Sequence, residues 1–149
     1  MKEISFKKEL SSNLKILGNT GTGKTETVKR IVKQIADEYK VLILDVLGEY
    51  KELADTFEQK IKVIDLYKQL MDSEDKSIIL SEEVKEEIKK FDFVIFDDTH
   101  CFYKHDTEEF ASFLNELQKE NVKVIATFQD IPPVDIDVIF PTFIWTNSR

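Results

Sequence analysis

Cysteine occurs once in this chain of 149 residues, at Cys101. A single thiol permits no intrachain disulfide and no cysteine-based zinc site, and it fits a reducing, cytoplasmic interior. Arginine is almost as scarce, with Arg30 and Arg149 the two examples. Long apolar runs are missing as well. The longest uncharged stretch, Val138 to Ser148, has eleven residues and is broken by Pro141, too short to span a bilayer. The N-terminal residues carry no secretory signal pattern. Positive charge is outnumbered, with 21 Lys and Arg against 29 Asp and Glu, a net charge of −8. That balance opposes a non-specific grip on nucleic acid, which is mostly cation–phosphate contact, yet it leaves room for a local basic rim built by several subunits. There is no internal repeat and no low-complexity tract.

Glycine is rare too, and its placement is informative. Of four glycines, Gly18, Gly21 and Gly23 fall within the stretch Gly18-Asn19-Thr20-Gly21-Thr22-Gly23-Lys24-Thr25. These eight residues match G-x-x-x-x-G-K-[ST], the phosphate-binding loop, and their surroundings are the ones that pattern needs. Leu14-Lys15-Ile16-Leu17 reads as a short buried strand feeding the loop. Val28, Ile31, Val32 and Ile35 then fall on one face of a helix predicted over about Thr25 to Tyr39. Glycines bring successive N–H groups onto a phosphate without a Cβ in the way. The helix start adds its unpaired N–H groups and positive dipole end. Lys24 is expected to reach the β- and γ-phosphates of ATP, and the Thr25 hydroxyl to ligate Mg²⁺.

The rest of the chain reads as alternating strands and helices. Ile4 and Phe6 alternate in a way that predicts a short N-terminal strand. Val41-Leu42-Ile43-Leu44 and Phe93-Val94-Ile95-Phe96 are apolar runs typical of strands covered on both faces. Lys62 to Leu66 and Val122 to Thr127 predict two more strands, and Phe143-Ile144-Trp145 closes the sheet, with Phe143 and Trp145 expected in the core. A short helix is expected up to about Phe57. Tyr67 to Lys90 is highly charged, and Ser81 followed by Glu82 and Glu83, with Lys89 and Lys90 at the far end, predicts a surface helix. Asp106 with Glu109 three residues later caps another, whose apolar face is Phe110, Phe113, Leu114 and Leu117. The fold class is α/β: a mostly parallel sheet of five or six strands with helices on both faces. Length and 42% hydrophobic content suit one domain over residues 1–149.

A phosphate loop needs a carboxylate at a neighbouring strand end to hold magnesium through water. Asp97, directly after Phe93 to Phe96, is placed for that. Asp98 can face the γ-phosphate and polarise the attacking water. His100, Cys101 and His105 lack a matching ligand pair elsewhere and are not assigned a metal.

The phosphate loop, the Asp45 to Tyr50 stretch with Gly48-Glu49-Tyr50, and Phe96-Asp97-Asp98-Thr99-His100 together resemble the HerA–FtsK superfamily of P-loop ATPases. That group contains DNA translocases, conjugative pumps and viral genome-packaging motors. Val124-Ile125-Ala126-Thr127 resembles its sensor strand, and Phe143 to Arg149 its last strand with a trailing arginine. The matches span about residues 4–149. They imply a RecA-like core with strand order 5-1-4-3-2 and Mg-dependent ATP hydrolysis. They also imply a ring-forming homo-oligomer, of which a hexamer is one form, acting on double-stranded DNA. A minimal viral or plasmid-type motor is the analogy, which would place it in a host cytoplasm if viral. The family usually has Asp-Glu where this chain has Asp97-Asp98, so the acid is one methylene shorter: either the loop compensates, or hydrolysis is slow, or Glu49 near the same sheet edge assists. The family's sensor is usually Thr-Gln, whereas here Phe128 follows Thr127 and Gln129 comes one place late. Arg149 is the expected arginine finger acting on a neighbouring subunit, since Arg30 lies on the helix leaving the chain's own loop. Two other functions stay open: a nucleotide-dependent switch with little turnover, and a small nucleoside or nucleotide kinase, for which lid arginines are wanting.

Overall fold

The computed structural model describes residues 12–19, 21–57 and 59–146. Its strands are β1 (Leu14–Leu17), β2 (Val41–Asp45), β3 (Ile61–Asp65), β4 (Phe93–Phe96), β5 (Lys123–Phe128) and β6 (Thr142–Trp145). Its helices are α1 (Lys24–Ile35), α2 (Lys51–Thr56), α3 (Tyr67–Asp72), α4 (Glu82–Ile88), α5 (His100–Tyr103), α6 (Thr107–Lys119) and α7 (Val134–Asp137). The strands form one sheet in the order β3-β2-β4-β5-β1-β6, and every ladder is parallel. Setting aside the edge strand β3 and renumbering the other five, the order reads 5-1-4-3-2, as the family resemblance implies. None of the helices among the described residues is long and apolar enough to cross a membrane.

Strands β1, β2 and β4 are buried at every residue. Alternate side chains therefore feed two cores, one on each face of the sheet. Leu14, Ile16, Val41, Ile43, Phe93 and Ile95 pack with Val28, Ile31, Val32 and Ile35 of α1. Leu42, Leu44, Val94, Phe96, Val124 and Ala126 point the other way, onto Phe110, Phe113, Leu114 and Leu117 of α6. The expected caps are present: Ser81 Oγ accepts from Val84 N–H at 3.1 Å, and Asp106 Oδ1 from Glu109 N–H at 3.0 Å. Each satisfies a first-turn N–H that the helix itself cannot.

Three sequence expectations meet a different outcome. Helix α1 stops at Ile35, because the chain turns there: both Glu38 and Tyr39 N–H groups return to the Ile35 carbonyl. The charged segment from Tyr67 holds an additional helix, α3, whose one buried residue is Leu70. Phe143 and Trp145 are not core residues. They are 54% and 56% exposed, because β6 is an edge strand that turns Ile144 toward α1 and these two aromatics outward. The strand expected around Ile4 and Phe6 lies outside the described residues.

Candidate functional site

Parallel strands deliver all their carboxyl ends to one edge of the sheet, and loops there form the crevice where α/β proteins bind ligands. The loop from Gly18 to Thr25 leaves β1 at this edge and enters α1. It is anchored at its start by Gly18 N–H to the Phe128 carbonyl at 3.1 Å. Gly18 is demanded by close approach, since a Cβ there would overlap the hydroxyls of Thr22 and Thr146. Thr146 follows β6, donates its N–H to the Leu17 carbonyl at 2.8 Å, and shares a 2.6 Å hydroxyl contact with Thr22. The last strand therefore braces the loop.

Gly23 is demanded for another reason. It is the N-cap of α1 at φ 94°, in the left-handed region. No side chain caps this helix end, which keeps its first-turn N–H groups directed at the loop's concave side. The Lys24 ammonium bonds back to the Gly18 carbonyl, spanning the same concavity. Asn19 accepts from the Thr22 hydroxyl at 2.6 Å through its carbonyl. Gly21 is exposed at the loop's tip. Thr20 lies outside the described residues.

Opposite the loop, β4 ends in Asp97, which is 5% exposed. Its carboxylate accepts four hydrogen bonds. Oδ2 takes Tyr50 Oη–H at 2.6 Å and Thr25 Oγ1–H at 3.2 Å. Oδ1 takes Thr127 Oγ1–H at 2.5 Å and Asp98 N–H at 3.1 Å. Thr25 and Asp97, expected from sequence to share a magnesium ion, are thus brought together across 72 positions of chain. Both offer hard oxygens, one hydroxyl and one carboxylate, which is the donor chemistry magnesium prefers. The residues fit the ion.

Asp98 adopts φ 55°, an uncommon backbone state for a residue with a Cβ. Its N–H bonds to Thr127 Oγ1 at 2.9 Å, and its carbonyl accepts from the Cys101 thiol. Its carboxylate lies at the sheet edge within reach of the Asp97 and Lys24 charges. There, loss of hydration and then the Asp97 charge raise its pKa from the ordinary 3.8, opposed by Lys24. Glu49, at the end of the loop after β2, is raised from 4.5 by the same causes in the same order, with Asp98 adding and Lys29 opposing. Two acids that hold protons more tightly than usual therefore flank Asp97. Gln129 is exposed and shares an open cavity of about 250 Å³ with Asp98, Thr127, His100 and Lys104. Phe128, between Thr127 and Gln129, is buried. Cys101 is no nucleophile here, since burial pushes its thiol up to about 12.

Residues 3–139 match the family described as "Helicase HerA, central domain". The chain belongs to the HerA central-domain family. No curated protein matches the sequence. Among solved structures, the flagellar accessory protein FlaH from Methanocaldococcus jannaschii is similar, with a TM-score of 0.67 and 15% identity over 93% of this chain and 74% of that one. A KaiC-like protein from Pyrococcus horikoshii gives 0.64 and 15% over 90% and 70%. Domain III of the replication initiation protein DnaA from Thermotoga maritima gives 0.57 and 18% over 91% and 54%. At these identities the likeness is one of fold, the RecA-like P-loop fold. In this HerA-family chain Asp98 stands directly after the strand-end Asp97, at the place where the resemblance drawn from sequence implies glutamate. Of the partners of Asp97, Tyr50 had no role assigned from sequence, and Thr127 was matched to the sensor strand with no link to Asp97 expected. Arg149 lies outside the described residues.

Proposed function

We propose that residues 1–149 form one P-loop domain that binds Mg–ATP and hydrolyses it as the motor of a ring-forming DNA translocase or packaging machine. The observation that carries this reading is the meeting of Thr25 and Asp97 at the mouth of the phosphate loop. Loop N–H groups and Lys24 bind the phosphate oxygens and hold the γ-phosphoryl group in line. Magnesium, when bound, neutralises phosphate charge and polarises the transferred group. Asp98 accepts the proton from water as its oxygen bonds to the γ-phosphorus and the bond to the β-phosphate oxygen breaks. Its raised pKa makes it a stronger base than an ordinary aspartate. Glu49 and Gln129, at the same edge, help to orient that water.

The ring is supported by an exposed apolar face. Val134 of α7, Val138 just after that helix, and Phe143 and Trp145 of β6 are all more than half exposed. Lys15 bonds to Asp137 of α7 and lies 5.8 Å from the Phe143 ring, so the two elements share one surface. A second copy of this chain is the proposed occupant, with a hexamer as one candidate. Arg149 is proposed as the finger that stabilises phosphoryl-transfer charge on a neighbouring subunit, worth roughly 10³–10⁵ in rate. Mixing Arg149→Ala with Lys24→Ala protein tests this, since activity returns only if the arginine acts between subunits.

A second reading is favoured by Asp98 itself. An acid one methylene short of glutamate suits a nucleotide-dependent switch with little turnover. The ATPase rate with and without double-stranded DNA, across protein concentration, separates the two. DNA-stimulated, concentration-dependent turnover supports the motor. Tight ATP binding with negligible turnover supports the switch.

A further inference from the structure

Tyr50 is the third residue of the Gly48-Glu49-Tyr50 stretch and is 1% exposed. Its ring is packed with Val41, Ile43 and Leu53 in the core on the α1 side of the sheet. An isolated tyrosine in such a place reads as filler. Its hydroxyl, however, leaves the core and donates to Asp97 Oδ2 at 2.6 Å. A buried phenol needs an acceptor, and this one has taken the carboxylate on which the proposed magnesium site depends.

The backbone carrying Tyr50 is itself fixed. Asp45, at the end of β2, gathers three consecutive N–H groups. Its Oδ1 accepts from Gly48 at 2.9 Å and Glu49 at 3.1 Å, and its Oδ2 from Tyr50 at 3.1 Å. Asp45 is 3% exposed, so these bonds are shielded from water. The carboxylate holds the turn, the turn holds the ring, and the ring's hydroxyl holds Asp97.

Thr25 donates to the same Asp97 oxygen, at 3.2 Å. A threonine hydroxyl has a lone pair for a cation and keeps its hydrogen for the carboxylate. Thr25 and Tyr50 can both donate to Oδ2 with an ion in place, and the Tyr50 bond, at 2.6 Å, is the shorter. We propose that Tyr50 is a positioning residue for magnesium: its hydroxyl fixes the Asp97 carboxylate in the orientation that receives the nucleotide-bound ion, with Asp45 as its anchor. The assignment rests on the nucleotide reading above. Partners of this kind, acting through a group that faces the metal, typically change metal affinity about 10–100-fold when removed.

The test is binding of a fluorescent ADP analogue to Tyr50→Phe, titrated with magnesium and repeated in EDTA. The variant keeps the ring and loses the hydroxyl. The expected result is a magnesium half-saturation raised at least about 10-fold, with affinity in EDTA unchanged. Asp45→Asn, which weakens the anchor and keeps Tyr50 whole, shifts half-saturation in the same direction and serves if Tyr50→Phe does not fold. An unchanged magnesium requirement in folded Tyr50→Phe overturns the assignment. Equal losses with and without magnesium also overturn it, because they mark a packing role. Wild-type protein that binds no nucleotide at any magnesium concentration overturns the nucleotide reading, and this assignment with it.

Discussion

Thr127 donates its hydroxyl hydrogen to Asp97 Oδ1 at 2.5 Å while accepting from Asp98 N–H at 2.9 Å. One buried hydroxyl thereby ties the end of β5 to both acids that follow β4. A shift of the Asp98 backbone would therefore bear on the Asp97 carboxylate, through a residue that is 0% exposed.

The proposed mechanism gives the two acids separable roles. Asp98→Asn is expected to lower kcat by about 10²–10⁴, the usual range for a positioned base, with little change in nucleotide affinity. Asp97→Asn instead raises the magnesium concentration needed for both binding and turnover. Steady-state kinetics at several magnesium concentrations checks the pair. Equal, small effects would reduce Asp97 and Asp98 to a strand-end turn.

Stability should depend on pH through the same acids. Asp98 and Glu49 are raised in the folded chain from ordinary values of 3.8 and 4.5. Above those values the folded chain keeps protons that the unfolded chain has released. Stability then falls as pH climbs through the folded pKa values, and stays lower beyond them. Asp98→Asn removes one such group and relieves its repulsion with Asp97. The variant should melt higher than wild type at neutral pH, and the gain should vanish below the ordinary value of 3.8. Melting both proteins from about pH 3 to pH 8 checks the sign. A variant that melts lower than wild type at neutral pH contradicts it.

The brace between β6 and the phosphate loop makes Gly18 intolerant of a side chain. Gly18→Ala places a methyl group onto Thr146 and Thr22. Overpacking of this sort costs about 1–3 kcal/mol, and each kcal/mol lowers Tm by roughly 2–4 °C at this chain length. Thr146→Ala in the same protein should recover part of the loss, because the Thr146 carbonyl still crowds the site. A Gly18→Ala protein with unchanged Tm would show that the loop is not braced.

The contacts that sequence made legible are local ones. Gly18 to Thr25 form the phosphate loop within eight consecutive residues, and Asp106 and Glu109 cap α6 within four. The runs that became β1, β2, β4 and β5 were legible because four or more buried residues in a row leave a parallel sheet few other choices. The links among elements were not legible. Tyr50 reaches Asp97 across 47 positions and Thr127 reaches it across 30, separations at which no spacing rule operates. Trp145 misled for the opposite reason. An aromatic in an apolar strand signals core only if the strand is covered on that face, and β6 stands at the sheet's edge.

Lys24 offers the most direct measurement. Its ammonium reaches across the loop to the Gly18 carbonyl, and the two cores draw their residues from elsewhere, so Lys24→Ala should fold. Isothermal titration of both proteins with a non-hydrolysable ATP analogue and magnesium is expected to show binding by wild type. In folded Lys24→Ala the affinity should fall by about 10–100-fold or more, since a charge-assisted bond to phosphate is worth roughly 1.5–3 kcal/mol. Wild-type affinity in that variant would contradict the phosphate-loop account.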